Sequence, residues 1–254
     1  GFGALVDGVE VRGDKTKTVT EPVINIKDQI DNLVLRNMLI DGNTVSENNG
    51  TGAPVVNLQY GLLYNALLYG NAVATGQPIV SVGTGGTMLN CTVVADAKGQ
   101  TTVDNAGAVI NCIDYNSADK ASSADETTKG SGTYTNCYAY TGNPFAPYLR
   151  AGGNVYTLPT FLTGHVPYYY QLHESSKAIN AGTKDFTLNE SIKDYVDLSN
   201  DRDILGNPRT LGGTVDMGCF ETWSIADGDS RYAIADGNRY PHEGSVVYIG
   251  KNAS

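Results

Sequence analysis

The acidic residues best spaced to act together lie in one short stretch, Asp197-Leu-Ser199-Asn-Asp201-Arg-Asp203, which sets side-chain oxygens at alternate positions. Loops that hold calcium offer oxygen donors in this way, so Asp197, Asp201 and Asp203 are the candidate metal ligands and calcium the one cofactor in view. The stretch lacks the central glycine and closing glutamate of an EF-hand, and solvated turn residues are the competing reading. His165, His173 and His242 are scattered, with no spacing suited to zinc or to a nucleophile triad. Polysaccharide lyases need carboxylates that hold calcium beside an Arg or Lys that takes a proton next to a uronate; glycoside hydrolases need a carboxylate pair. No Asp-Asp pair occurs here, Asp41, Asp96 and Asp114 share no column of the repeat described below, and Arg36 is the one basic residue near its turn. No catalytic residue is therefore assigned. Arg12-Gly13-Asp14 is a tripeptide that cell-adhesion receptors read, but a three-residue match arises easily by chance.

The elements that carry these residues follow from a repeat. Asn37, Asn65, Asn90, Asn111 and Asn136 recur at intervals of 28, 25, 21 and 25 residues, each followed at once by Met, Ala or Cys. One coil of a parallel β-helix takes about this many residues, and its tightest corner calls for a left-handed residue, which Asn tolerates better than other non-glycine types. Stacked about 4.8 Å apart, the five amides are expected to hydrogen-bond to one another and to nearby backbone as a structural ladder. Alternation after the corner points Met38, Ala66, Cys91, Cys112 and Cys137 inward, with Ile40, Leu68, Val93 and Ala139 two residues on. Asp114 stands in that second inward column and breaks its apolar pattern. The cysteines read as small buried hydrophobes rather than as disulfides or a metal site. The outward column, Asp41, Tyr69, Val94, Tyr115 and Tyr140 beside Tyr138, is unusually aromatic. Either the chain covers it, for example with the segment from Phe145 to Tyr170, or Tyr69, Tyr115, Tyr138 and Tyr140 offer stacking surfaces to sugar rings.

Composition narrows the function classes. Glycine (30) and tyrosine (16) are plentiful and only 17% of residues are charged, which suits strands and turns. A net charge of −10 and a pI near 4.6 disfavour nucleic acid and anionic membrane surfaces as partners, and no stretch approaches the roughly 20 apolar residues of a spanning helix, so no direct membrane insertion is expected.

Further along, Tyr170-Gln-Leu-His-Glu-Ser-Ser-Lys-Ala-Ile-Asn-Ala-Gly182 leads through a polar stretch to Leu205-Gly-Asn-Pro-Arg209, then to Val215-Asp-Met-Gly-Cys-Phe-Glu221. Residues 168–222, which hold these elements, resemble the terminal part of bacterial right-handed β-helix surface proteins of pectate-lyase-like architecture. The resemblance implies an all-β, single-stranded, right-handed parallel β-helix with a C-terminal capping segment, in an extracellular or bacterial cell-surface setting. It implies no activity. Residues 1–144 are expected to form the coils and 145–222 the last coil and cap, with Arg209 and Asp216 paired inside it. Residues 223–254 read as a linker and the start of a further module. The functional expectation is a non-catalytic, adhesin-like or glycan-contacting module with polysaccharide or host-surface glycans as partners. A lyase or hydrolase of the same fold, and a purely structural spacer, remain as alternatives.

Overall fold

The computed structural model describes residues 4–29, 32–118, 130–138, 154, 161, 170–173, 175–211 and 214–222, and the backbone of 128–129, 139, 232–235 and 238–241. Tyr140, His165 and His242 lie outside the described residues, as does most of the segment from Phe145 to Tyr170.

The coils stack as an all-β parallel solenoid. An incomplete first coil contributes β1 (Ala4–Asp7) and β2 (Glu10–Arg12). The next contributes β3 (Ile24–Ile26), β4 (Leu33–Asp41) and β5 (Thr44–Val45), followed by β6 (Val56–Tyr69) and β7 (Ala72–Val73). Then come β8 (Val80–Leu89) and β9 (Thr92–Ala95), β10 (Val103–Asn105), β11 (Ala108–Ile110) and β12 (Ile113–Asn116). The last described coil holds β13 (Thr128–Lys129), β14 (Thr133–Thr135) and β15 (Tyr138–Ala139). Every strand pairing along this stack is parallel. A separate antiparallel hairpin joins β16 (Tyr232–Ala235) to β17 (Asn238–Pro241).

Three faces result. The first runs through β3, the start of β6, the start of β8, and β10; the second through β1, the start of β4, the middle of β6, the end of β8, and β11; the third through β2, the end of β4, the end of β6, β9 and β12. Alternation fills the interior with register-aligned rows such as Leu35, Leu63, Met88, Val109 and Tyr134. The corner between the second and third faces is where the five asparagines sit, with φ of 54°, 57°, 49°, 52° and 48° for Asn37, Asn65, Asn90, Asn111 and Asn136. An ordinary side chain costs roughly 1–2 kcal/mol in that conformation, which explains why one residue type recurs there. Cys91, Cys112 and Cys137 form the expected inward stack; they and Cys219 are buried free thiols.

The C-terminal segment, expected over the open end of the stack, lies along its flank. From Tyr170 to Thr222 the described chain is a strap with little regular structure beyond a short 3-10 turn at Lys193–Tyr195. Ile192, Leu198 and Val215 pack on Val34, Leu62, Tyr64, Leu89 and Ile110 of the second face. Leu172, Ala178 and Met217 pack on Val94, Ile113, Tyr115 and Tyr138 of the third, and Phe220 and Cys219 on Leu39 and Leu67. The outer faces of these coils are too apolar to stand in water, and each fully covered large side chain contributes about 1.5–3 kcal/mol.

Candidate functional site

The polar seam between strap and solenoid gathers most of the residues singled out above. Asn90 Nδ2 donates to the carbonyl of Asp216 (3.0 Å), and Asn136 Nδ2 to that of Ala181 (2.9 Å). Asn111 clamps Thr183 from both sides, donating to its carbonyl and accepting from its N–H, each at 2.8 Å. Asn65 Nδ2 reaches the carbonyl of Arg202 (3.1 Å) and the Oδ1 of Asn37. The ladder expected from the sequence is thus corrected: among the described residues, the Asn37–Asn65 rung is the direct amide-to-amide contact, and the others hold the strap's backbone. The physical reason is burial, since a strap lying over the corner needs partners for its own carbonyl groups. A second, shorter ladder on another corner does join like to like, with Asn43 Nδ2 donating to Asn71 Oδ1 at 3.0 Å.

Arg209 and Asp216 are both fully buried, but they are not each other's ion partners. Arg209 Nη2 sits 3.3 Å from Glu221 Oε1 and donates to the carbonyl of Gly218 at 2.9 Å. Toward Asp216 it reaches only the backbone carbonyl, at 3.5 Å. The Asp216 carboxylate instead accepts from the N–H groups of Asn180 (2.7 Å) and Thr222 (2.6 Å). Glu221 was missed at the level of sequence although it closes the terminal motif; that it faces Arg209 depends on how the chain folds back after Gly218, whose φ is 89°.

The three carboxylates of the Asp197–Asp203 stretch are separated by their environments. Asp197 is exposed and accepts from Ser199 N–H and Asn200 Nδ2, which hold it below the usual carboxylate range. Asp201 Oδ2 accepts from the Tyr64 hydroxyl (3.0 Å) and from Asp197 N–H (2.7 Å). Asp203 is buried and accepts from the N–H groups of Leu205, Asn207 and Glu221. Their oxygens shape turns and secure the strap, and they do not converge on one point; among the described residues no group of three acidic, His or Cys side chains could hold a metal ion.

The tyrosines considered for sugar stacking lie under the strap. Tyr138 is 1% and Tyr115 7% exposed, Tyr69 is half-buried, and the rings meet strap and loop aromatics: Tyr69 against Tyr170 at 5.9 Å between centroids, and Tyr115 against Phe161 at 5.3 Å. Of the remaining candidates, His173 Nδ1 lies 2.8 Å from the Ser175 hydroxyl in an exposed turn. Arg12 is engaged by Glu10 (3.1 Å) and Asp41 (3.6 Å), and Asp14 by Thr16.

Electrostatically the seam is unusual. Burial pushes Asp216 up to about 7 and Glu221 up to about 9, against the opposing charge of Arg209, and raises Asp203 as well. Burial also raises the Tyr64 phenol. Inside the solenoid, Asp114 is fully buried, in register with Val93 and Ala139; among the described residues neither of its oxygens has a hydrogen-bond partner, and burial pushes it up to about 8. Two surface hollows accompany these features. One of about 390 Å³ is bordered on the strap by Lys184, Phe186, Leu188, Lys193 and Leu198; the other, of about 410 Å³, opens at the first coil among Val6, Val11, Ile24, Leu33, Leu35 and Met38.

Among the described residues, the strap covers the second and third faces but not the first. The outward row of the first face is polar and in register: Asn25, Asn57, Ser81 and Asp104. Asn57 Nδ2 donates to Asn25 Oδ1 (2.8 Å) and Gln59 Nε2 to Asn57 Oδ1 (2.7 Å). Compared with known proteins, the chain matches no family profile and no curated sequence.

Proposed function

We propose that this chain is a non-catalytic β-helix module of an extracellular or bacterial surface protein, of the pectate-lyase-like type, and that it contacts glycans along its first face. The observation that carries this reading is the division of labour between faces. The carboxyls shifted by burial are committed inside the core or under the strap, whereas the first face carries a register-aligned row of amide, hydroxyl and carboxyl groups, with Asn25 and Asp104 exposed and Asn57 and Ser81 half-buried. Such a row, repeating with each coil, matches the hydrogen-bonding needs of an extended polyhydroxylated chain, and the coil-to-coil hydrogen bonding keeps it rigid.

The test incubates the purified chain, with and without calcium, against acidic and neutral polysaccharides, following retention on the polymer, unsaturated-uronate absorbance and new reducing ends. Retention without product, lost when Asn57→Ala is combined with Asp104→Ala, is the expected result. Calcium-dependent product would instead establish a lyase of this fold, and absence of both retention and product would leave a spacer.

A further inference from the structure

We propose that the strap is a proton-operated latch: it stays seated on the solenoid while the carboxyl cluster around Arg209 holds protons, and it releases when that cluster ionises. The inference is independent of the glycan reading.

The geometry sets one guanidinium among three buried carboxyls, Asp203, Asp216 and Glu221, all closed off from water. Fully ionised, the cluster would carry two uncompensated negative charges in a dry interior, and an unneutralised buried carboxylate costs far more than its ordinary titration. The compensation available is incomplete. Among the described residues, Arg209 Nε and Nη1 and Glu221 Oε2 have no hydrogen-bond partner, and a single Nη2 contact at 3.3 Å joins the two groups. From the solenoid side the titratable group that faces the cluster is Tyr64, hydrogen-bonded to Asp201 and kept neutral by burial, while the thiol of Cys91 points into the coil interior. From the strap side come the Asp201 carboxyl and the thiol of Cys219. None of these supplies a positive charge.

The same carboxyls hold the strap's own fold: Asp216 ties Asn180 to Thr222, Asp203 ties Asn207 to Glu221, and Arg209 donates to the Gly218 carbonyl. The solenoid grips the backbone they brace, Asn90 donating to the carbonyls of Asp216 and Gly218. Ionising the cluster thus sets repulsion within the folded strap next to the point that Asn90 holds. The sign follows from burial: with Asp216 near 7 and Glu221 near 9, the seated strap binds protons that a released, hydrated strap gives up. Seating is therefore favoured most in acid and weakens as pH rises from about 4 to about 7 for Asp216 and on to about 9 for Glu221.

Cysteine accessibility reads this directly, because Cys219 belongs to the strap and is buried against Leu39 and Leu67 of the solenoid, while Cys91, Cys112 and Cys137 lie inside the coils. The full chain is alkylated at pH 6, 7.5 and 9, sites are quantified by mass spectrometry, and each rate is normalised to an unstructured thiol peptide at the same pH. The expected result is a rise of about tenfold or more in the normalised rate at Cys219 between pH 6 and 9, with the other three thiols still protected. Glu221→Gln combined with Asp216→Asn should flatten that rise. Equal protection of Cys219 at pH 6 and 9, or four thiols reacting in step, overturns the latch. So does a double variant that opens as steeply as the wild type; where that variant does not fold, the wild-type profile alone decides.

Discussion

Replacing Asp114 by valine should make the protein more stable, by an amount that depends on pH in a calculable way. Asp114 stands in register with Val93 and Ala139, fully buried and, among the described residues, without a hydrogen bond to either oxygen, so valine restores the pattern of the column. A carboxyl that ordinarily titrates at 3.8 is pushed up to about 8 here because ionising it in the apolar interior is unfavourable. Between those values the folded chain keeps a proton that the unfolded chain has released. Stability therefore falls as pH rises from about 4 to about 8, and is level above. At about 1.4 kcal/mol per tenfold, the full penalty is about 6 kcal/mol above pH 8 and about 4 kcal/mol at pH 7. Urea unfolding of wild type and Asp114→Val, followed by far-ultraviolet circular dichroism at pH 4.5, 6, 7.5 and 9, measures the difference. The variant's advantage should widen with pH across this series. The strap carboxyls titrate in the same direction, but they are common to both proteins and cancel in the comparison. A difference that stays constant from pH 4.5 to 9, or narrows, would refute the reasoning.

Two further substitutions probe the corners. Asn111→Ala removes both hydrogen bonds to Thr183 and places alanine at a φ of 52°, so a loss of about 2–4 kcal/mol is expected in urea unfolding; Asn111→Gly should recover the backbone part, and a smaller loss with alanine than with glycine would contradict it. Gly61 and Gly76 share a φ near 80° (82° and 84°), but a Cβ at Gly61 would lie 2.7 Å from the Leu33 carbonyl whereas one at Gly76 meets nothing within 4 Å. In thermal melts Gly61→Ala should cost clearly more than Gly76→Ala, for which backbone strain alone predicts about 1 kcal/mol; equal costs would remove the steric account.

Much of the coil was legible because its determinants are local. A left-handed corner selects Asn wherever it occurs, and strand alternation assigns inward and outward positions residue by residue, so the five asparagines and the stack of Cys91, Cys112 and Cys137 could be placed from spacing alone. Asp114 was visible as a break in that alternation, but only the packed interior shows that its carboxyl has no partner. What the amino-acid order could not convey concerns groups far apart in the chain. That Asn90 grips the carbonyl of Asp216, 126 residues on, depends on where the strap lies. So does the covering of Tyr115 and Tyr138, and so does the choice of Glu221 over Asp216 as the ion partner of Arg209. Apolar outward positions announce that something must cover them without saying which segment does, because burial of apolar surface is non-directional. The direction comes from hydrogen bonds and charges, whose partners meet only once the coils have stacked and the strap has folded back along their flank.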